Sequence, residues 1–194
     1  MGTDLTKCGL RRGGAHALLV LLLTLVVAGC GGDSDTGGPQ EANATDVMYA
    51  QMTVEHIRQG LPVLDLAVER GRSPELKAVA TELRGQWTAE NTTLAGWLAE
   101  WDRPAEADPN ESIHAGHGAL HALRPQDVDD LRAATGAFDQ TATALLLGHL
   151  HNGMETARME AKGGAYRPAV DLATRTTTTR QAQIQRLLTL AAGQ

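Results

Sequence analysis

Thioether and imidazole side chains recur at helical spacing in two separate segments of the chain. Met48, Met52 and His56 follow one another at intervals of four residues, which places them on one face of a helix. His149 and His151 stand close together in a second segment. Sulfur and imidazole nitrogen suit a soft cation such as Cu(I), so the spacing predicts a copper site made of Met48, Met52, His56, His149 and His151. The alternative is that the methionines fill gaps in an apolar core and that the histidines are solvated.

A second histidine group, His114, His117 and His121, falls in an irregular segment that contains several Gly and Ala residues. Three imidazoles so close together could bind Cu(II), Zn(II) or Ni(II) loosely, or titrate together near pH ~6.5. Because small neighbouring residues do not fix a coordination geometry, a polar loop with incidental histidines is an equal alternative.

The motifs of catalysis are missing from the sequence. A di-iron site in a helical bundle needs Glu-x-x-His on two helices and a further Glu on each of two others. The one Glu-x-x-His here is Glu111-Ser112-Ile113-His114, in the irregular segment and without a partner. We find no Ser/His/Asp set and no glycine-rich phosphate loop. We therefore predict that the protein is not an enzyme.

The N-terminal segment has the features of an export signal. Lys7, Arg11 and Arg12 precede an apolar run over residues 15–27, which is shorter than the roughly 20 residues that span a bilayer. The run ends in Val27-Ala28-Gly29-Cys30, and small residues before a cysteine resemble the lipobox of bacterial lipoproteins. We predict a signal peptide at 1–29, acylation of Cys30, a flexible tether within 30–45, and an extracytoplasmic protein anchored in membrane lipid. An ordinary signal with an incidental cysteine is the alternative.

Composition narrows the choice of partners. The 194 residues carry a net charge of −6, and removal of Lys7, Arg11, Arg12 and Asp4 with the signal would bring it to −8. Nucleic-acid binding depends on Lys and Arg that neutralise phosphates, so an acidic chain without a basic patch argues against nucleic acid. Cys8 would leave with the signal, so we predict no disulfide and a fold that rests on its apolar core.

Apolar residues beyond the tether recur at intervals of three and four, which is the helical pattern. Gly71 ends the first such stripe, and Ser73-Pro74-Glu75 supplies an N-cap, a first-turn proline and an early acid for the second. No segment alternates as a strand would, and aromatic residues make up only 3% of the chain, which favours helices throughout. We predict an all-α four-helix bundle over 46–192, with a first hairpin at 46–102, a linker at 103–124 and a second hairpin at 125–192.

The two halves repeat one another. Glu55-His56-Ile57-Arg58-Gln59-Gly60-Leu61 aligns with Gly148-His149-Leu150-His151-Asn152-Gly153-Met154, which places His149 93 residues after His56. The same offset pairs Ala80 with Ala173 and Leu94 with Leu187 at matching places in the helical pattern. A duplicated helical hairpin is the economical explanation.

These segments resemble a bacterial family called domain of unknown function 305. The resemblance rests on Asp46-Val47-Met48-Tyr49-Ala50-Gln51-Met52 and Glu55-His56 in the first half, and on Gly136-Ala137-Phe138-Asp139 and Gly148-His149 in the second. It covers nearly all of residues 46–190. It implies an exported, ferritin-like four-helix bundle built from two helical hairpins, in a family with several members linked to copper or silver handling.

The chain differs from the family pattern at the histidine pairs. Where the family has His-His once per half, this chain has His56-Ile57 and His149-Leu150. Ile57 and Leu150 fall on the apolar stripes, and a helix turns by about 100° per residue. We therefore expect His56 and His149 to lie off the centre of the core.

Two functions remain open at this stage. The first is an envelope lipoprotein that binds or buffers a soft metal such as copper. The second is a metal-free member of the family that acts as a structural or protein-interaction lipoprotein, with a second copy or another envelope protein as its partner. Convergence of Met52, His56 and His149 on one pocket would favour the first.

Overall fold

The computed structural model describes residues 41–106 and 123–193, and all regular secondary structure within those two ranges is helical. The helices are α1 (Ala44–Arg70), α2 (Pro74–Glu100), α3 (Pro125–Ala133), α4 (Phe138–Gly163) and α5 (Arg167–Ala192). Turns of three residues join α1 to α2 and α4 to α5, so each pair forms an antiparallel hairpin. The two hairpins meet mainly through α1 and α4, and short α3 packs on both. The predicted all-α fold is confirmed.

Side chains next to the helix ends explain where α1 and α2 begin. The Asn43 side chain accepts hydrogen bonds from the backbone N–H groups of Thr45 and Asp46, and the Asp46 carboxylate accepts one from Asn43 N–H. This reciprocal cap starts α1 at Ala44, inside the segment predicted to be tether. Ser73 caps α2 through a bond from Leu76 N–H, at the position that the sequence predicts.

The core is made of aliphatic side chains from all five helices. Ile57 and Leu150 are each 1% exposed, in agreement with their places on the predicted apolar stripes. Trp87 is the largest fully buried side chain, and it lies on α2 between the two hairpins. Leu188 is the one large apolar side chain classed as exposed within the described ranges. Burial of this apolar surface is what holds the helices together.

A pair of aspartates joins each hairpin to the other. Asp46, in the first turn of α1, accepts hydrogen bonds from two backbone N–H groups of the α4–α5 turn. Asp139, in the first turn of α4, accepts two from the α1–α2 turn. The donors are Ala165 and Tyr166 for Asp46, and Arg72 and Ser73 for Asp139. All four donors and both acceptors obey the 93-residue offset, so the duplication extends to the contacts between the halves. We call these the Asp46 clamp and the Asp139 clamp.

Candidate functional site

The two histidines at equivalent positions meet where α1 crosses α4. The rings of His56 and His149 are stacked, with centroids 3.7 Å apart and planes 5° from parallel. Trp87 makes a T-shaped contact with each imidazole. The centroid of its ring lies 5.7 Å from that of His56 and 5.6 Å from that of His149. We call these three rings the histidine stack. Trp87 follows Leu76, Val79, Ala80 and Leu83 at helical spacing, which indicates burial, but the sequence does not show that it contacts both histidines.

Two glycines make the close approach of the helices possible. A Cβ atom added to Gly60 would lie 2.6 Å from His149 Nε2, and one added to Gly153 would lie 2.6 Å from His56 Nε2. Each imidazole therefore occupies the space above the glycine of the opposite repeat. The sequence signal for this arrangement is His-x-x-x-Gly, which occurs at the same place in both halves.

The expectation that both histidines lie off the centre of the core is wrong for His149. His149 is 1% exposed, and His56 is partly buried against it in the middle of the bundle. With no side chain at Gly60 and Gly153, the helices come so close that residues beside the aliphatic stripe also face the partner helix. Geometry on a single helix does not include this effect.

Hydrogen bonding defines the chemical state of His149. Its Nε2 lies 2.9 Å from the backbone oxygen of His56, and because a carbonyl can only accept, Nε2 carries the proton. The Nδ1 atom is then an unprotonated nitrogen with a free lone pair. It is buried and has no hydrogen-bond partner in the described part of the chain. Buried polar atoms are seldom left in this condition without a reason, and an ion is one such reason.

Both imidazoles are neutral at neutral pH. Burial lowers the pKa of His149 to about 4, although its bond to the His56 carbonyl works in the opposite direction. Burial lowers the pKa of His56 well below its usual value, and the nearby His149 and Arg180 lower it further. Neutral imidazole is the form that binds metal ions.

The histidine stack contains nitrogen atoms that can bind a metal ion, but their lone pairs do not point to a common position. A metal bound to imidazole lies on the lone pair, in the plane of the ring, at about 2.0–2.1 Å from nitrogen. Two parallel rings direct their lone pairs along parallel planes, so His56 and His149 do not converge on one ion as they stand. His149 alone already has the pattern of a metal ligand, since one nitrogen donates to a carbonyl and the other is free. His56 would have to turn out of the stack.

A small polar pocket opens beside His56. Its free volume is about 20 Å³, enough for one water molecule or a bare ion. Tyr49, Thr53 and His56 line it from α1, and Glu90 and Arg180 line it from α2 and α5. Burial raises the pKa of the Tyr49 phenol, and the Glu90 carboxylate raises it further.

Arg180 is the most deeply buried charge at the pocket. Its guanidinium forms two bonds of 2.7 Å to the Glu90 carboxylate and also donates to Gln86 and Gln183. It lies over the Trp87 ring, 5.9 Å from the centroid. Burial raises the pKa of Glu90, while Arg180 opposes that rise. Residue type argues against an internal position, because arginine is seldom fully buried. The sequence signal that could have found it is the 93-residue offset, which pairs Arg180 with the buried Trp87.

Of the five predicted copper ligands, the structure brings His56 and His149 together. Met48 and Met52 are partly buried on α1 and do not line the pocket. His151 is exposed on α4, and its Nδ1 contacts the Leu147 carbonyl of its own helix.

The remaining predicted site residues, Cys30, His114, His117 and His121, lie outside the described residues, as does the signal segment. Within 41–106 and 123–193, no three His, Cys, Asp or Glu side chains are grouped as a ready metal site. None of the helices in those ranges has the length and apolar character that a bilayer crossing requires.

Comparison with known proteins places this architecture. A crystal structure of a DUF305 fragment from Deinococcus radiodurans superposes with a TM-score of 0.68 at 16% identity, over 79% of this chain and 99% of that one. CopM in its Cu(II)-bound form superposes with a TM-score of 0.65 at 19% identity, over 76% of this chain and 96% of that one. CopM in its Cu(I)-bound form superposes with a TM-score of 0.63 at 17% identity, over 78% of this chain and 98% of that one. Identities this low show a shared fold and nothing more.

No curated protein matches the chain. The model of one family, described as domain of unknown function (DUF305), matches residues 46–191, which include every helix described above except the first two residues of α1 and the last of α5. The chain therefore belongs to the DUF305 family.

Proposed function

We propose that this protein is an extracytoplasmic lipoprotein that binds copper as Cu(I) at the histidine stack and thereby buffers the ion at the membrane surface. The observation that carries the proposal is the buried Nδ1 of His149, a neutral donor with no partner in the described chain. Two structural neighbours are copper-bound forms of CopM, which supports the choice of metal. The segment before Cys30 supports export and lipid anchoring.

Three residues would supply the ligands for the ion. His149 supplies Nδ1, held in the correct tautomer by its Nε2–H bond to the His56 carbonyl. His56 supplies a second nitrogen when its ring turns away from His149. The pocket beside His56 gives its ring room to turn, and the space that the ring leaves would take the ion, since His149 does not itself line the pocket. Met52 lies one turn before His56 on α1 and is the nearest thioether along that helix. Neutral nitrogen and sulfur ligands favour Cu(I) over hard cations.

A metal-free function is the second candidate, and the tight packing around the histidine stack favours it. Gly60, Gly153 and Trp87 enclose both imidazoles, so the histidines could serve only to join α1 to α4. In that case the protein would act through contact with another envelope protein or a second copy. Metal titration separates the two candidates.

The copper site is tested by titrating the purified protein with Cu(I), under reducing and anaerobic conditions, against a competing chelator. We expect one ion per chain, and we expect His149→Ala to weaken binding by at least about tenfold because it removes the preformed ligand. Met52→Leu keeps the side-chain volume and should weaken binding less.

His151→Ala is the matched control, since His151 is exposed on the same helix and its Nδ1 is engaged by Leu147. It should leave Cu(I) affinity unchanged. Failure of the native protein to compete with a weak chelator would reject the copper proposal in favour of the metal-free candidate. Equal losses in His149→Ala and His151→Ala would place the ion elsewhere.

The lipid anchor is tested by cell fractionation. Cys30→Ser should shift the protein from the membrane fraction to the soluble fraction, because each acyl CH₂ buried in lipid contributes about 0.8 kcal/mol to anchoring. Cys8→Ser changes the other cysteine of the chain and should leave the distribution as it was. A Cys30→Ser protein that stays with the membranes would show that something other than acylation holds it there.

A further inference from the structure

The end of the bundle that holds the Asp46 clamp also contains a second buried carboxyl group. Asp46 and Glu160 both have no exposed surface. The Asp46 carboxylate accepts hydrogen bonds from the backbone N–H groups of Asn43, Ala165 and Tyr166, at distances between 2.6 and 3.1 Å. Three backbone donors therefore satisfy the hydrogen-bonding capacity of this carboxylate.

Glu160 has no such support. Neither of its carboxyl oxygens has a hydrogen-bond partner among the described residues. The group is confined by the turn that follows it, since a Cβ atom added to Gly164 would lie 2.6 Å from Glu160 Cδ. An ionised carboxylate buried without donors is costly. A proton on Glu160, directed at Asp46, removes that cost and supplies the missing bond.

We propose that Glu160 and Asp46 form a proton-dependent latch, in which a proton on Glu160 holds the α4–α5 turn against the start of α1 and its loss loosens that end of the bundle. Opening would separate Asp46 from the amides of Ala165 and Tyr166. Tyr49, one turn after Asp46, lines the pocket beside His56, so the latch controls the end of the bundle next to the candidate metal site. The latch does not depend on metal binding.

The charges around Glu160 support this assignment. Burial raises the pKa of Glu160 to about 8, and the Asp46 carboxylate is the second cause. From α1, Tyr49 also faces this region, and Glu160 contributes to the rise of its pKa. No charged side chain of α2, α3 or α5 within the described ranges shifts the pKa of Glu160. Glu160 is thus protonated at neutral pH and ionises in mildly alkaline solution.

The sign of the pH dependence follows from this raised pKa. An open latch exposes Glu160 and returns its pKa towards the ordinary value of 4.5. The closed form therefore binds the proton more tightly than the open form does. The stabilisation is complete below pH 4.5, declines as the pH rises, and is lost once the pH passes about 8.

The other half of the molecule provides an internal control. By the 93-residue offset, the position equivalent to Glu160 is Ala67, which is fully buried. The Asp139 clamp on Arg72 and Ser73 therefore has no second carboxyl group at this position. Only the Asp46 clamp should respond to pH in this range.

The test is amide hydrogen exchange of the full-length chain, expressed as protection factors, from about pH 5 to about pH 8. We expect protection of the Ala165 and Tyr166 amides to fall by up to about tenfold per pH unit and then to level off. Protection of the Arg72 and Ser73 amides should stay constant. Glu160→Gln mimics the protonated acid and should abolish the pH dependence at Ala165 and Tyr166.

Equal pH dependence at both clamps, or an unchanged dependence in Glu160→Gln, would overturn the latch. Should the variant fold poorly, the carboxyl carbon of Glu160 can be titrated by NMR in the native chain. A midpoint near 8 supports the latch, and a midpoint near the ordinary 4.5 rejects it.

Discussion

Replacing Arg180 with methionine is expected to lower the free energy of unfolding by about 3–5 kcal/mol, because removal of one partner leaves a buried charge uncompensated. The Arg180 and Glu90 side chains are only 5% and 15% exposed, so water replaces little of the lost contact. Gln86 and Gln183 also lose their guanidinium donor. Methionine is long enough to fill much of the space that the arginine side chain occupies. The loss of stability therefore reflects the removed charge more than the removed volume. Urea denaturation monitored by circular dichroism gives the measurement.

Arg186→Met is the matched control, since Arg186 lies on the same helix but pairs with Glu75 and Glu82 near the surface. Exposed pairs contribute about 0–1 kcal/mol, so its effect should be small. The Arg180→Met deficit should also shrink as the pH is lowered, because Glu90 can then take up a proton. Similar losses in the two variants would mean that Arg180 is not an internal charge.

The second large effect is expected at Gly60. A methyl group there would lie 2.4 Å from the Trp87 ring and 2.6 Å from His149 Nε2, and both side chains are fully buried. We expect Gly60→Ala to lower the free energy of unfolding by about 3 kcal/mol, at the upper end of the usual cost of overpacking. The histidine stack should be disrupted too, with loss of the ring-current shifts of its imidazole protons in NMR spectra.

Gly85→Ala on α2 makes the same chemical change where no atom lies within 4 Å. Alanine is the better helix former, so this variant should be more stable than the native chain by about 0.5–1 kcal/mol. Opposite signs for the two substitutions would establish close helix approach at Gly60. A neutral or stabilising Gly60→Ala would show that α1 and α4 do not cross as closely as described.

The duplicated halves have diverged in the side chains that lie beside the histidine stack. By the 93-residue offset Trp87 is equivalent to Arg180, and Glu90 to Gln183. Trp87 packs its ring against both imidazoles, Arg180 lies over the Trp87 ring, and both side chains line the pocket beside His56. A ligand that reaches the histidines by this pocket would meet His56 first, since His149 does not line the pocket.

Much of the fold was predictable from the chain because the signals are local. Apolar residues at helical spacing define long helices wherever they occur, and Ser73 caps α2 through a backbone group only three residues away. The 93-residue repeat is visible in the letters themselves, and it accounts for two like hairpins. Family membership rests on the same pattern. The sequence identified the two histidines as equivalent and placed them in one predicted metal site, but it did not predict that their rings stack.

The sequence by itself determined the all-helical class, the repeat, the family and the equivalence of His56 and His149. Only the tertiary structure decided that these rings stack, that Arg180 is internal and that Glu160 is buried beside Asp46. The physical reason is that a helix pattern specifies which residues share a face, but not how closely two faces approach. At Gly60 and Gly153 the approach is so tight that an added Cβ atom would lie 2.4–2.6 Å from its nearest neighbour, closer than side chains permit, and it brings polar groups into the core.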